Sequence, residues 1–175
     1  MSARYKNLLA GASSIKPLRQ GELDRLCGLY SAINAIRLVI YPRPLHPFEE
    51  RKLFVAGLKQ LNRYWNLHHA VGTGMSNAAM ADVAATIAKR ASALTGMNIV
   101  TVRAAKSLTP EQGGSWLDEQ LAIGNPVLAE FKTIDHFSIC CGLTARRVVI
   151  FDTSGKLSTV RRPTGRLISF KKVHE

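Results

Sequence analysis

The sequence predicts an α+β protein, with a helical first half followed by about five or six mostly antiparallel strands and one inserted helix. Three observations point there. Between Cys27 and Leu94, apolar residues recur at three- and four-residue steps, the spacing of helix faces. From Asn98 onward the chain changes to short β-branched runs separated by Gly-, Pro- and Ser-bearing turns. No repeat, low-complexity segment or linker interrupts the 175 residues, so one domain spanning 1–175 is expected, long enough to bury a real core. Runs of helices followed by runs of strands argue for a helical half packed on a sheet half. Any cleft would then lie in the seam between them.

The elements follow in order. In the opening stretch MSARYKNLLAGASSIKPLRQ, the apolar patch LLAGA is too short for a secretory core, so a structural N-terminal arm is expected. Next comes RQGELDRLCGLYSAINAIRLVIY, Arg19 to Tyr41, where Leu29, Ala32, Ile33, Ile36, Val39 and Ile40 line one helix face. Asp24 can cap this helix, placing Cys27 in or just before its first turn. After the proline-rich break at Tyr41 to Pro47, Pro47 opens a second helix, with Glu49 and Glu50 in the turn where the helix dipole favours acids. NLHHAVGTG reads as a polar loop. Ser76 or Asn77 then caps a helix over Asn77 to Leu94, stopped at Thr95-Gly96.

The second half begins with a strand over Asn98 to Ala104. Gly113-Gly114 precedes a short helix, SWLDEQLAIG, and Pro126 opens the strand PVLAEFK. The apolar run from His136 and the run Arg147 to Asp152 are close enough to pair as a hairpin around a turn at Gly142 to Arg146. Lys156 to Arg162 and Leu167 to Lys172 read as two further strands.

Three residues in this layout carry chemistry. A thiol at a helix start, as Cys27 would be, meets the positive end of the helix dipole, which favours the thiolate. Hairpin pairing would bring His136 beside Asp152. An imidazole held by a carboxylate keeps one tautomer and stays basic enough to take a thiol proton. The bland alternative for Cys27 is a small core hydrophobe, the common fate of a free cysteine.

Four segments sharpen the reading: DRLCGLYSAINA (Asp24 to Ala35), LAIGNPVLAE (Leu121 to Glu130), DHFSICCG (Asp135 to Gly142) and VIFDTSG (Val149 to Gly155). In type and order they resemble the papain-like cysteine peptidases, and among these the bacterial C39-like branch. The resemblance spans about residues 19–155 and implies a papain-like fold. It also implies Cys27 as nucleophile, His136 as general base and acid, and Asp152 as orienter. The family places an oxyanion-hole glutamine shortly before the cysteine; Gln20 takes that place, seven residues ahead and commonly one more than in relatives. In relatives the loop before the third helix borders the cleft, which makes Gly72 to Ser76 a candidate substrate wall.

Three cysteines with Cys140 and Cys141 adjacent make no disulfide framework. Strand alternation puts Cys140 on the face of His136, near but not in the cleft, and Cys141 in a core. No metal or other cofactor is expected, because C-x-x-C is absent and His68-His69 lacks a third ligand at a helpful spacing. His46 and His174 read as solvated. These features fit a reduced, cytoplasmic compartment, and no apolar run is long enough to span a membrane.

The formal net charge is +12, and residues 144–175 hold eight Lys or Arg against two acids. Arg146, Arg147, Arg161, Arg162, Arg166, Lys171 and Lys172 are expected to leave several cations near the cleft rim. A solvated basic surface is the first reading of this charge. An acidic protein substrate or partner ranks second, and nucleic acid third, since aromatics are sparse and no nucleic-acid motif accompanies the cations.

Three function classes follow. One is a cysteine hydrolase that cleaves peptide or isopeptide bonds in protein substrates through an acyl-enzyme on Cys27. The second is an acyltransferase, transglutaminase-like enzyme or deamidase using the same residues. The third is a non-catalytic basic binding module.

Overall fold

The computed structural model describes residues 5–21, 24–132, 135–155 and 157–173. Among these lie five α-helices: α1 (Cys27–Val39), α2 (Pro47–Tyr64), α3 (Leu67–Thr73), α4 (Asn77–Thr95) and α5 (Pro110–Ala122). Six strands form one open antiparallel sheet: β1 (Asn98–Arg103), β2 (Val127–Phe131), β3 (His136–Leu143), β4 (Val148–Phe151), β5 (Leu157–Val160) and β6 (Leu167–Val173). Their order across the sheet is β1-β6-β2-β3-β4-β5. The α+β class is as expected, with every strand pairing antiparallel.

Local chemistry sets the helix ends. Pro47 begins α2, and Glu49 accepts the His46 N–H at 3.0 Å while pairing with Arg43 at 2.7 Å. His46 is thus the N-cap of a helix, though exposed as expected. Ser76 caps α4 by accepting the Ala79 N–H, and Gly96 closes it in the left-handed region at φ +70°. Two expectations needed correction. NLHHAVGTG contains the short helix α3, begun by Asn66 accepting the His69 N–H at 2.9 Å. The helix expected at Ser115 starts at Pro110 instead, because Thr109 and Gln112 form a reciprocal capping box. That box and a proline in the first turn outweigh the helix cost of Gly113 and Gly114, about 1 kcal/mol each.

The sheet is covered on two faces. One core joins α1, α2 and α4 to Ile99, Leu128, Phe137, Ile139, Cys141, Val149, Phe151, Ile168 and Phe170. On α1, Leu29, Ile33 and Ile36 are buried, each stabilising the fold by roughly 1.5–3 kcal/mol relative to exposure. The second core lies on the opposite face, where Leu117 and Leu121 of α5 meet Val127, Ala129, Cys140, Val148 and Ile150. The inserted helix therefore does not join the helical half; it forms a third layer. This is why β4 is buried at all four positions rather than alternately.

The arm preceding α1 is structural. Lys6 and Leu143 exchange backbone hydrogen bonds of 2.8 Å, and the Leu9 N–H reaches the Cys141 carbonyl. Gly142 sits at the irregularity in the β3–β4 register, where a Cβ would come within 2.9 Å of Leu8. Glycine is needed there for the arm to lie so close. Further along, buried Asn34 of α1 clamps both backbone groups of Leu18, accepting its N–H at 2.7 Å and donating to its carbonyl at 3.2 Å. Arg37 adds a hydrogen bond to the Lys16 carbonyl. The chain leading to Gln20 is thereby fastened to the helix that carries Cys27.

Candidate active site

Cys27 is the first residue of α1 and is partly exposed. Asp24 contributes as expected in kind, though not as the N-cap itself. Its Oδ1 accepts the Leu26 N–H at 3.0 Å and shapes the turn into the helix, while Leu26 occupies the cap position. Next to Cys27, Gly28 faces buried Met80: an added Cβ would fall 2.3 Å from its sulfur. A larger residue would push the helix start away from the sheet.

The hairpin forms as expected, with a tighter turn in which the Thr144 N–H bonds to the Arg147 carbonyl at 2.8 Å. Ile139 pairs with Phe151, so one further step of the ladder sets Asp152 opposite Ser138 and diagonal to His136. His136 Nε2 donates to Asp152 Oδ1 at 2.8 Å. The imidazole shares the cleft with the Cys27 thiol, and Nδ1 is the ring nitrogen that Asp152 leaves free. The Phe137 N–H donates to Cys27 Sγ at 3.4 Å, and Ser31 of α1 donates to the Phe137 carbonyl at 3.0 Å. Two bonds between α1 and β3 thus hold the thiol against the histidine strand.

Charge follows from this geometry. Burial of the ring opposes protonation, but hydrogen bonds to Asp152 and Cys27, with the charges on both, push His136 up to about 10. Burial would raise Asp152, yet the bonds from His136 and Ser154 and the charge on His136 hold it well below the usual carboxylate range. Both shifts favour an imidazolium facing a carboxylate. Ser138 donates to Asp152 Oδ1 at 3.1 Å, the Ser154 N–H donates to Oδ2 at 3.2 Å, and Thr153 Oγ1 lies 3.4 Å from His136 Nε2.

Gln20 lies in the same cleft. One Nε2 hydrogen donates to the Asp24 carbonyl, and the amide has a second hydrogen to offer. Its backbone N–H bonds to the Thr153 carbonyl at 3.0 Å, joining it to the loop that carries Asp152. Cys27, His136 and Gln20 line a cleft of about 260 Å³ with Thr73, Gly74 and Met75, so the segment before α4 does wall it.

The other cysteines are placed differently. Cys141 packs in the helix-side core, as alternation requires. Cys140 does not line the cleft, in keeping with the expectation, and is fully buried with α5. His136 stands at the open end of β3, whereas Cys140, four residues on, is roofed by α5. Burial pushes Cys141 up to about 12 and raises Cys140 further. Among the described residues, no three His, Cys, Asp or Glu side chains converge as metal ligands, and no helix is long and apolar enough to cross a membrane.

The basic tail is dispersed over the surface. None of Arg146, Arg147, Arg161, Arg162, Arg166, Lys171 or Lys172 lines the cleft itself, and Arg166 lines a neighbouring cavity. Arg162 is tied to Asp118 of α5 by contacts of 2.6 and 3.0 Å. Arg146 and Arg147 lie at the β3–β4 turn, and Lys171 and Lys172 pair with β1. Several supporting residues were not anticipated. Ser138 could have been found two positions after His136, on the same strand face. Ser31 and Asn34 could have been found as polar interruptions of a buried helix stripe.

Comparison with known protein families gives no match, and none of the curated proteins is similar to this chain.

Proposed function

We propose that this protein is a papain-like cysteine hydrolase that cleaves peptide or isopeptide bonds in protein substrates. The observation that carries the reading is Cys27 at a helix start and His136 in one cleft, with Asp152 hydrogen bonded to the ring at 2.8 Å. In the proposed reaction, the Cys27 thiolate attacks the scissile carbonyl carbon, and the carbonyl π electrons move onto oxygen. Gln20 Nε2 and the backbone N–H of Cys27 stabilise that oxyanion. As the tetrahedral centre collapses, the C–N bond breaks and the His136 imidazolium gives its proton to the leaving amine. The neutral imidazole next takes a proton from water, whose oxygen displaces the thiolate from the acyl carbon. Acid is released and the thiolate–imidazolium pair is restored. Asp152, buttressed by Ser138 and Ser154, keeps the ring oriented and its charge compensated throughout.

The test is a peptidyl epoxide probe followed by mass spectrometry of the intact protein and its peptides. One adduct on Cys27, lost in His136→Ala, is the expected result. Labelling of Cys27 that is indifferent to His136 would overturn the reading.

A further inference from the structure

A second and larger cavity, about 520 Å³, adjoins the catalytic cleft. It is bounded by the end of β1, the start of α5, α4 and the segment leading into β6. Four cations line it, Arg103, Lys106, Lys132 and Arg166, against one acid, Glu130. Among the described residues, Lys106, Lys132 and Arg166 have no carboxylate within ion-pair distance, and Arg103 reaches only Asp82 at 3.7 Å. Arg162 shows the contrast, since its charge is spent on Asp118. Gathering uncompensated like charges around a concave surface raises the local potential and favours an anionic occupant.

Glu130 lines this cavity and the catalytic cleft alike, so the two meet at its side chain. Its carboxylate accepts a hydrogen bond from Asn77 at 2.8 Å, and the Gly165 backbone approaches so closely that a Cβ there would sit 2.8 Å from Oε2. The junction is thus a fixed acidic divide. The cleft on one side carries Asp24, Glu130 and Asp135 against Arg25 and the His136 ring, which Asp152 compensates, and the cavity on the other carries the four cations. An acidic segment is drawn past Glu130 towards the cations of the cavity.

We infer that this cavity binds an Asp/Glu-rich segment of the protein substrate, lying a few residues from the bond presented to Cys27. The role in substrate choice rests on the hydrolase reading, but the binding does not. The polarity also sets direction: the substrate carries its acids on one side of the scissile bond only.

The experiment uses the full chain with Cys27→Ala and follows the fluorescence anisotropy of labelled hexaglutamate and hexaglutamine peptides. Hexaglutamate is expected to bind more tightly, by a margin that shrinks with added salt. Lys106→Glu with Arg166→Glu is expected to weaken it on the order of tenfold or more, while Arg146→Glu with Arg147→Glu changes it less than about twofold. Circular dichroism checks that each variant is folded. Equal loss from both pairs, or no preference for glutamate, would overturn the inference. So would a short DNA duplex that displaces hexaglutamate at lower concentration with the same sensitivity to Lys106 and Arg166, which would make the cavity a nucleic-acid site. Binding of hexaglutamate by a protein whose Cys27 proves inert would remove the hydrolase reading and leave the acidic-segment site standing.

Discussion

Alkylation near pH 7.5 should separate Cys27 from the other two thiols by orders of magnitude. Only the thiolate reacts, so the rate scales with the ionised fraction and with access. For Cys141, at about 12, the ionised fraction is roughly 3 in 100,000, against roughly one in ten for an ordinary thiol near 8.5. That alone slows Cys141 by about 3,000-fold relative to a free small thiol. Cys140 is raised further and is closed off beneath α5. In the folded protein both should therefore react only through opening of the core. Cys27 is partly exposed and opens onto the cleft that His136 also lines. The assay is a time course with iodoacetamide, quenched and mapped by peptide mass spectrometry, with glutathione as an internal reference. Complete single labelling at Cys27 should precede any second adduct. Adding denaturant should bring Cys140 and Cys141 to the rate of ordinary thiols. Comparable labelling of Cys27 and Cys141 in the native protein would refute the reasoning, since it would mean that the burial assigned to β3 does not exist.

Two further predictions use the same pair of residues. His136 is raised in the folded state, so its stabilisation is fully present below its ordinary value of 6.5 and is lost as pH climbs through about 10. Asp152 is depressed, so its share is present above the usual carboxylate range and is lost as pH falls through its lowered value. Denaturation midpoints should accordingly fall between about pH 6.5 and 10 more steeply in the wild type than in Asp152→Asn, and parallel curves would refute the assignment. On the labelling rate of Cys27 at neutral pH, Asp152→Ala should cost more than Ser138→Ala, which removes one supporting hydrogen bond and should cost about tenfold or less. Cys27→Ala should abolish labelling at this position, and a Ser138→Ala effect as large as that of Asp152→Ala would show that the serine does more than support the carboxylate.

Much of this protein follows from local sequence. The periodicity of Leu29, Ile33 and Ile36 makes α1 a core helix whatever it packs against, and Pro47, Ser76 and Gly96 set helix ends through one or two backbone groups each. Proximity in the chain nearly determines the pairing of β3 with β4, and with it the meeting of His136 and Asp152, because a short turn leaves few alternatives. Capping chemistry is equally local, yet Gly113 and Gly114 masked it at Thr109 and Gln112, where the box prevailed over intrinsic propensity. What only the tertiary structure decided is which surfaces face one another. Nothing near α5 in sequence states that it crosses to the far side of the sheet, burying Cys140 and occupying Arg162. Cys27 and His136 are 109 residues apart, and the bonds that join them, from Ser31 and from the Phe137 N–H, exist only once α1 lies on β3. The same holds for Gln20, which is placed by Asn34 through the Leu18 backbone and by the Thr153 carbonyl. Charge behaves likewise: a count of arginines in the last third gives net attraction, but ion pairing and layer packing determine which cations remain uncompensated. Of the cations with no ion pair among the described residues, Lys106, Lys132 and Arg166 are drawn from three separate parts of the chain to one cavity beside the thiol cleft.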